Sequence, residues 1–499
     1  MFGNIVLLRW DDNVLMNAQA DKIGRRNMEQ KNIPIERRFA VIAFIVGGIL
    51  LFITPPMAAP DENDHFYNMY AFSDADFFAD SQGNLLGRML PVCIIDFVNN
   101  YNEKFAAKLN EQYNFSEAYT SWAIPSDFEE YRFVPYWNSN VNLIGYLPSG
   151  TGIVIYRILA ATFPFICMSP YNLLLFGRIC NLTFYIVIMY YALKWTPILK
   201  YTIFLIALFP MSLFLASTLS YDTVIIGFCT LLFSRIMNIL SSTRIITRKD
   251  LIVISVCFFF LVNVKTAYAP LLIALFSLPV TRFSNVKRYI KYIVIVVSTG
   301  IIPFVLFNVG KNIGLKNFTW KYTAAMNEQT KVILSDPVNF VNCIVNSFVK
   351  YGKFYYLGSL GSLGQQDTNL PEVFLYILTF ITLFVALIEI SSQDLITVKF
   401  KILSLIGVFL TIYAVFAGTY IIWTGTRYEI GLDYVEGCQG RYFIPLLIWV
   451  TVFFSNSSLK KRRRIFKLVE KLSVGIVIFM LIITLICVFI RSHTSHTEI

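Results

Sequence analysis

The segment TPPMAAPDENDHF, residues 54 to 66, gathers Asp61, Glu62, Asp64 and His65 directly behind an apolar run. A carboxylate placed there could act as general base toward a hydroxyl group. His65, the one histidine outside the C-terminal tail, falls about one helical turn from Asp61 and could orient it. Cations recur in other apolar stretches, at Arg178, Lys265 and Arg441. Lysine and arginine so placed can stabilise the charge on a phosphate leaving group. A carboxylate facing separated cations at a lipid interface suits transfer of a sugar from a lipid-linked phosphate, whose chain stays in the bilayer. Tyr221 and Asp222 in STLSYD, Tyr268 in VKTAYAP and Gln439 in EGCQGRYFIP complete the polar set.

Each of these residues also has a plainer reading. Arg178 and Lys265 could reach up to lipid phosphates, and Arg441 could anchor a helix at the interface. Asp222 could cap a helix, and Asp61 and Glu62, after Pro60, could favour a helix N-terminus. His493 and His496 fall in the polar tail and are expected to be solvated.

Elements that could position these groups follow from composition. Of 499 residues 56% are hydrophobic, and the mean hydropathy is +0.60. Both figures exceed those of soluble domains and imply an all-α, polytopic membrane protein. The net charge of +11 is read as positive-inside bias, since no nucleic-acid-binding motif accompanies it. Eight scattered cysteines show no zinc spacing; a Cys93–Cys438 disulfide is conceivable if both face outward.

Apolar runs place spans at about 39–55, 173–193, 198–217, 221–240, 291–309, 372–391, 401–423, 441–456 and 472–490. The stretch 251–281 is too long for one span and reads as two half-spans folded back near Lys265, giving about eleven. Residues 1–38 form a cytoplasmic N-terminal segment, because Arg25, Arg26, Lys31, Arg37 and Arg38 precede the first span. The first outer loop, 57–140, carries thirteen acidic and four basic residues. Residues 141–167 read as an interfacial helix on the outer leaflet. A second outer segment covers 310–371, C-terminal helices 372–490 and a tail 491–499. On this layout the first-loop acids, Arg178, Asp222, Lys265 and Arg441 converge on one membrane face, where buried charge is costly and so points to function.

The motifs PDENDHF, GYLPSG, PMSLFLASTLSYD, VKTAYAP, NEQTKVILSDPVNF and GCQGRYFIPLL, in this order over about residues 40–450, resemble a family of predicted bacterial membrane proteins, the domain of unknown function 2142. That family is similar in layout to the GT-C glycosyltransferases. The resemblance implies a seven-span catalytic module, here residues 39–309, and a polyprenyl-phosphate sugar donor. It makes Asp61 or Glu62 the catalytic carboxylate, with His65 beside it, and Lys265, Arg441 and Arg178 the donor-phosphate ligands. Asp64 sits at a variable position of the motif and is left outside the core. The expected acceptor is a cell-surface glycan or glycolipid, the expected location a bacterial plasma membrane, and the expected partners membrane lipids rather than nucleic acid. No cofactor is called for; a divalent cation held by Asp61, Glu62 and Asp64 stays open. A polysaccharide polymerase or ligase using a lipid pyrophosphate, and a lipid-linked sugar flippase or transporter, remain alternatives. The latter usually shows internal repeats and midplane charges, and neither is visible in the sequence.

Overall fold

The computed structural model describes residues 33–104, 112–113, 122–315, 318–390, 396–454 and 463–493. Arg25, Arg26, Lys31, Lys108, Glu111, Glu117, His496 and residues 460–462 of the basic run lie outside these ranges. Among the described residues eight helices are long and apolar enough to cross a membrane, or ten if each of two bent helix pairs counts as one span. The expected eleven is not reached by that measure.

Hydrogen bonds and ion pairs fix how the helices run. The first helix, Ile35–Ile53, packs against Pro170–Trp195 with opposite polarity. Arg178, near the start of the latter, donates to Leu51 O at the end of the former, while Phe39 meets Tyr185 farther down. The last helix, Arg463–His493, runs parallel to the first: Glu470 pairs with Arg38, and His493 reaches Ile53 O. One end of the bundle therefore carries Arg38, Arg244 and Arg248, and the other carries the first acidic loop.

The expected span 198–217 is broken. Lys200–Ala207 and Pro210–Ser217 meet at 56°, because Pro210 has no N–H to continue the first helix and Phe209 before it is held extended. Arg248–Ser277 counts as one span by length and composition, yet its backbone changes at Lys265 (φ −152°, ψ 88°) from α-helix to a 3-10 segment, Thr266–Ser277. Ile246 N donates to Arg282 O at 2.9 Å, so both ends of this stretch lie together and the chain reverses at Lys265. Gly407 lies where a side chain would press on Pro270 O and Leu271, which seats the returning segment closely on Val398–Thr419.

The chain is not all-α. Asp80–Gln82, Leu85–Pro91 and Tyr131–Pro135 form a three-stranded antiparallel sheet in the first loop, with Met89 opposite Phe133. A Cβ on Gly87 would fall 2.1 Å from Val134 O, so the strand pairing requires glycine there. Arg88 is fully buried and fastens the sheet by bonds to Asp76 and to Ser139 O. A short second ladder pairs Ser362–Leu363 with Thr368–Asn369.

Two apolar cores result. The larger joins the spans; the smaller joins Phe66, Tyr67, Tyr70, Ile94, Leu143, Tyr146, Ile153 and Leu173. Leu143–Thr162 is long and apolar enough to cross a membrane; its Leu147–Thr162 part packs on Pro170–Trp195 and joins this second core, where Gly150 abuts Phe72 and Arg157 pairs with Asp74. The conceivable Cys93–Cys438 disulfide is not formed; all eight cysteines are free, and Cys438 is buried.

The arrangement predicts sidedness. Glu129 and Lys249 are exposed at opposite ends of the bundle. In a cysteine-free background, Glu129→Cys should react with a membrane-impermeant maleimide in intact cells, and Lys249→Cys only after permeabilisation. The reverse pattern would put the acidic loop in the cytoplasm.

Candidate active site

The turn that carries the acidic motif holds Pro55, Pro56 and Pro60, which cannot donate backbone hydrogen bonds. Met57 and Asp61 both adopt left-handed backbone conformations, φ 61° and 57°. Aspartate tolerates this region better than most residues; methionine does not. Asp61 directly precedes the helix Glu62–Ser73 and makes no side-chain cap to it.

Successive side chains at a helix start diverge by about 100°. Glu62 points inward and is fully buried. Its carboxylate accepts from Arg178 Nε at 2.8 Å and Nη2 at 2.7 Å, and from Leu219 N at 3.0 Å. Arg178 also donates to Leu51 O, Thr54 O and Pro55 O. Its donors are thus used within the protein, and the expectation that Arg178 ligates a donor phosphate is corrected. Glu62 likewise bonds Arg178 rather than Lys265 or Arg441.

Asp61 turns the other way. Its side chain is 42% exposed and lines a cavity of about 610 Å³. Lys265, Tyr221, Gln439 and Tyr442 line the same space, with Trp137, Tyr355 and Trp423 around them. Ala414, Val415, Gly418 and Ile422 supply an apolar wall. That wall continues through a π-helical turn, Tyr420–Thr424, a local widening common at functional sites. A concave, mostly apolar pocket with few converging polar groups is the usual form of a small-ligand site.

Behind the lining, Arg441 is 4% exposed and joins two acids: Nη2 is 2.5 Å from Asp61 Oδ2, and Nε is 3.0 Å from Asp222 Oδ2. The second contact is poorly aligned for a hydrogen bond, leaving Nε and Nη1 without one. Lys265 Nζ lies 3.9 Å from Asp222 Oδ1 and 3.3 Å from the centre of the Tyr442 ring, again without a hydrogen bond. A lysine reaching for lipid headgroups would expose its amine; here the amine is buried and held by a cation–π contact. Tyr268 is buried and fixes Tyr442 by donating to its carbonyl at 2.7 Å. Asp222 opens Asp222–Ser241, and its own N–H is held by Ser220 Oγ.

His65 does not touch the cavity. It is buried, with Nδ1 2.8 Å from Tyr146 Oη and its ring edge-on to Tyr221. Burial pushes its pKa down to about 4, so it is neutral near pH 7. Burial opposes ionisation of Asp61, but the charge and hydrogen bond of Arg441 outweigh it and hold the carboxyl below its usual range. Asp64, left aside in the sequence reading, is raised to about 7 by burial and by the charge of Asp61, despite hydrogen bonds from Asn138.

Sequence reasoning missed Trp137, Asn138, Tyr355, Trp423 and Glu436 in the cavity wall. Only Glu436 had a signal, its place in the motif that contains Gln439 and Arg441. It accepts from Tyr351 Oη and lies 3.6 Å from Lys350 Nζ. Among the described residues no group of three or more His, Cys, Asp or Glu could hold a metal ion. The tail histidine is not free in solvent as expected: His493 Nε2 lies 2.9 Å from Ile53 O.

Fold and site define a multi-pass membrane protein with a charged cavity at one end of its helical bundle. The chain belongs to the family described as "Predicted membrane protein (DUF2142)", which matches residues 44–450. No curated protein and no solved structure matches it.

Two outcomes are expected. Arg178→Met strands the Glu62 charge and should cost about 3–5 kcal/mol, while Glu62→Leu with Arg178→Met should recover much of it. Melting curves in detergent check this; equal losses in single and double variants would sink it. For Asp64, the folded pKa is above the unfolded value of 3.8, so its contribution to stability falls as pH rises from about 4 through about 7. The stability of Asp64→Asn relative to wild type should therefore gain about 3 kcal/mol between pH 5 and pH 8. Parallel pH curves for the two proteins would contradict the shift.

Proposed function

We propose that the protein is a GT-C-like membrane glycosyltransferase, transferring a sugar from a polyprenyl-phosphate donor to a cell-envelope glycan on the extracytoplasmic face of a bacterial plasma membrane. One observation carries this reading. Two cations with buried nitrogens, Lys265 and Arg441, retain donor atoms without hydrogen bonds beside a cavity that a carboxylate, Asp61, also enters. A phosphate offers the acceptor oxygens such donors lack.

In the proposed reaction Asp61 takes the proton of an acceptor hydroxyl as its oxygen bonds to the anomeric carbon. The bond from that carbon to the phosphate oxygen breaks, and its electron pair stays on the phosphate. Lys265 and Arg441 stabilise the added charge. The bound phosphate competes with Asp61 for Arg441, which loosens the Asp61–Arg441 pair and makes the carboxylate a better base. Apolar residues of the cavity wall face the lipid chain, and Trp137, Tyr355 and Trp423 offer surfaces for sugar rings.

Purified protein in liposomes, given radiolabelled polyprenyl-phosphate sugar and envelope glycan, tests the reading. Asp61→Asn should lower single-turnover transfer by about 10²-fold or more with donor affinity largely kept. Lys265→Ala should cost on the order of 2–4 kcal/mol in the transition state, and Lys265→Arg less. Full activity in stably folded forms of both Asp61→Asn and Lys265→Ala would remove the glycosyltransferase reading.

A further inference from the structure

The strained turn that presents Asp61 is held from outside itself. Within it Ala58 N donates to Pro55 O at 3.4 Å and Glu62 N to Ala59 O at 3.2 Å, which leaves Thr54 O and Met57 O to other donors. Arg178 serves Thr54 O and Pro55 O. Nearer Asp61 one side-chain amide spans two carbonyls: Gln365 Nε2 donates to Met57 O at 3.1 Å and to Ala59 O at 2.7 Å. Both bonds fall between the left-handed Met57 and the left-handed Asp61.

Gln365 is itself well placed to resist movement. It sits at the tip of the hairpin made by Ser362–Leu363 and Thr368–Asn369, closed by a Gln366 N to Leu363 O bond. Gly364, φ 61°, lies where a Cβ would meet Asp367 Oδ1 at 2.1 Å, so glycine there lets Asp367 keep its place. Asp367 is joined to Arg491 of the last helix at 2.6 Å, and both side chains are largely buried. Leu363 is fully buried. The neighbouring Gln366 lines the cavity.

We infer that Gln365 is a positioning residue for Asp61: its amide clamps the turn 57–61 so that the carboxylate stands in the cavity against Arg441. As a matter of rate this rests on the glycosyltransferase reading; as a matter of geometry it does not. Gln365→Glu keeps the size and removes both donors, setting an acceptor against two carbonyls. The turn then relaxes and carries Asp61 away from the cavity. A displacement of about 1 Å at a reacting group can cost on the order of 10²-fold in rate.

Two measurements test the clamp. The first is steady-state transfer: Gln365→Glu should lower kcat by about 10²-fold while KM for the donor stays within about 3-fold. A residue needed only for folding would instead lower the melting temperature and weaken donor binding alongside kcat, and that outcome overturns the inference. The second needs no activity. With Cys438 changed to serine, Asp61→Cys should react with a small methanethiosulfonate through the cavity, and adding Gln365→Glu should slow modification by about 10-fold, a loss of the order that such displacements produce. Should Gln365→Glu fail to fold, Gln365→Met carries both measurements, since it drops the donors without adding charge. If the wild type transfers no sugar, the glycosyltransferase reading fails and the thiol rates alone decide the clamp. Unchanged thiol reactivity in folded Gln365→Glu or Gln365→Met overturns it.

Discussion

The buried pair between Glu62 and Arg178 is the contact from which the rest of the acidic end takes its position. It ties the end of the first helix, the start of Pro170–Trp195 and the loop before Asp222 to one point. Two opposite charges at 0% and 3% exposure are tolerable only because nearly every donor and acceptor finds a partner there. The pair also decides the roles of two adjacent acids. Once Glu62 is turned inward, the divergence of neighbouring side chains sends Asp61 toward the opposite surface, into the cavity.

That cavity is balanced rather than basic. Asp61 and Asp222 face Lys265 and Arg441, while His65 beside them is neutral near pH 7. Balance of this kind offsets part of the cost of holding two cationic groups out of water. It also leaves them with unspent hydrogen-bond donors, because carboxylates at 3.0 and 3.9 Å satisfy charge without satisfying direction. Asp64 is held apart from this group by Asn138, near enough to Asp61 for the two charges to oppose each other.

Much of this could be read along the chain. Hydropathy gave the helical bundle, and the convergence of rare charges gave Asp61, Asp222, Lys265 and Arg441, because ionisable groups in apolar runs stand out wherever they fall. Lys265 and Pro270 marked the chain reversal, since a long apolar stretch with an internal charge and a proline cannot remain one straight helix. Arg178 was misread for the same reason that Lys265 was read well: a sequence shows that a cation is buried, not which acid it meets. The three-stranded sheet was hidden because its strands are short and its third member lies forty residues beyond the second. Trp137 and Trp423 were invisible among so many aromatic residues, and Gln365, an ordinary polar residue in a loop, carries no signal at all without its two carbonyl partners.

Sequence separation within the site has a bearing on how the protein is made. Glu62 meets Arg178 across 116 residues, but Asp61 meets Arg441 across 380. A ribosome delivering this chain to a membrane completes the first contact once the second long helix has been inserted. The second must wait until most of the C-terminal helices are in place. For most of synthesis Asp61 is an acid without its cation, kept at the aqueous boundary by the helix before it, and the cavity has no floor. A chain released early thus holds a well-anchored first loop but no site, because the cation that faces Asp61 comes from the far end of the sequence.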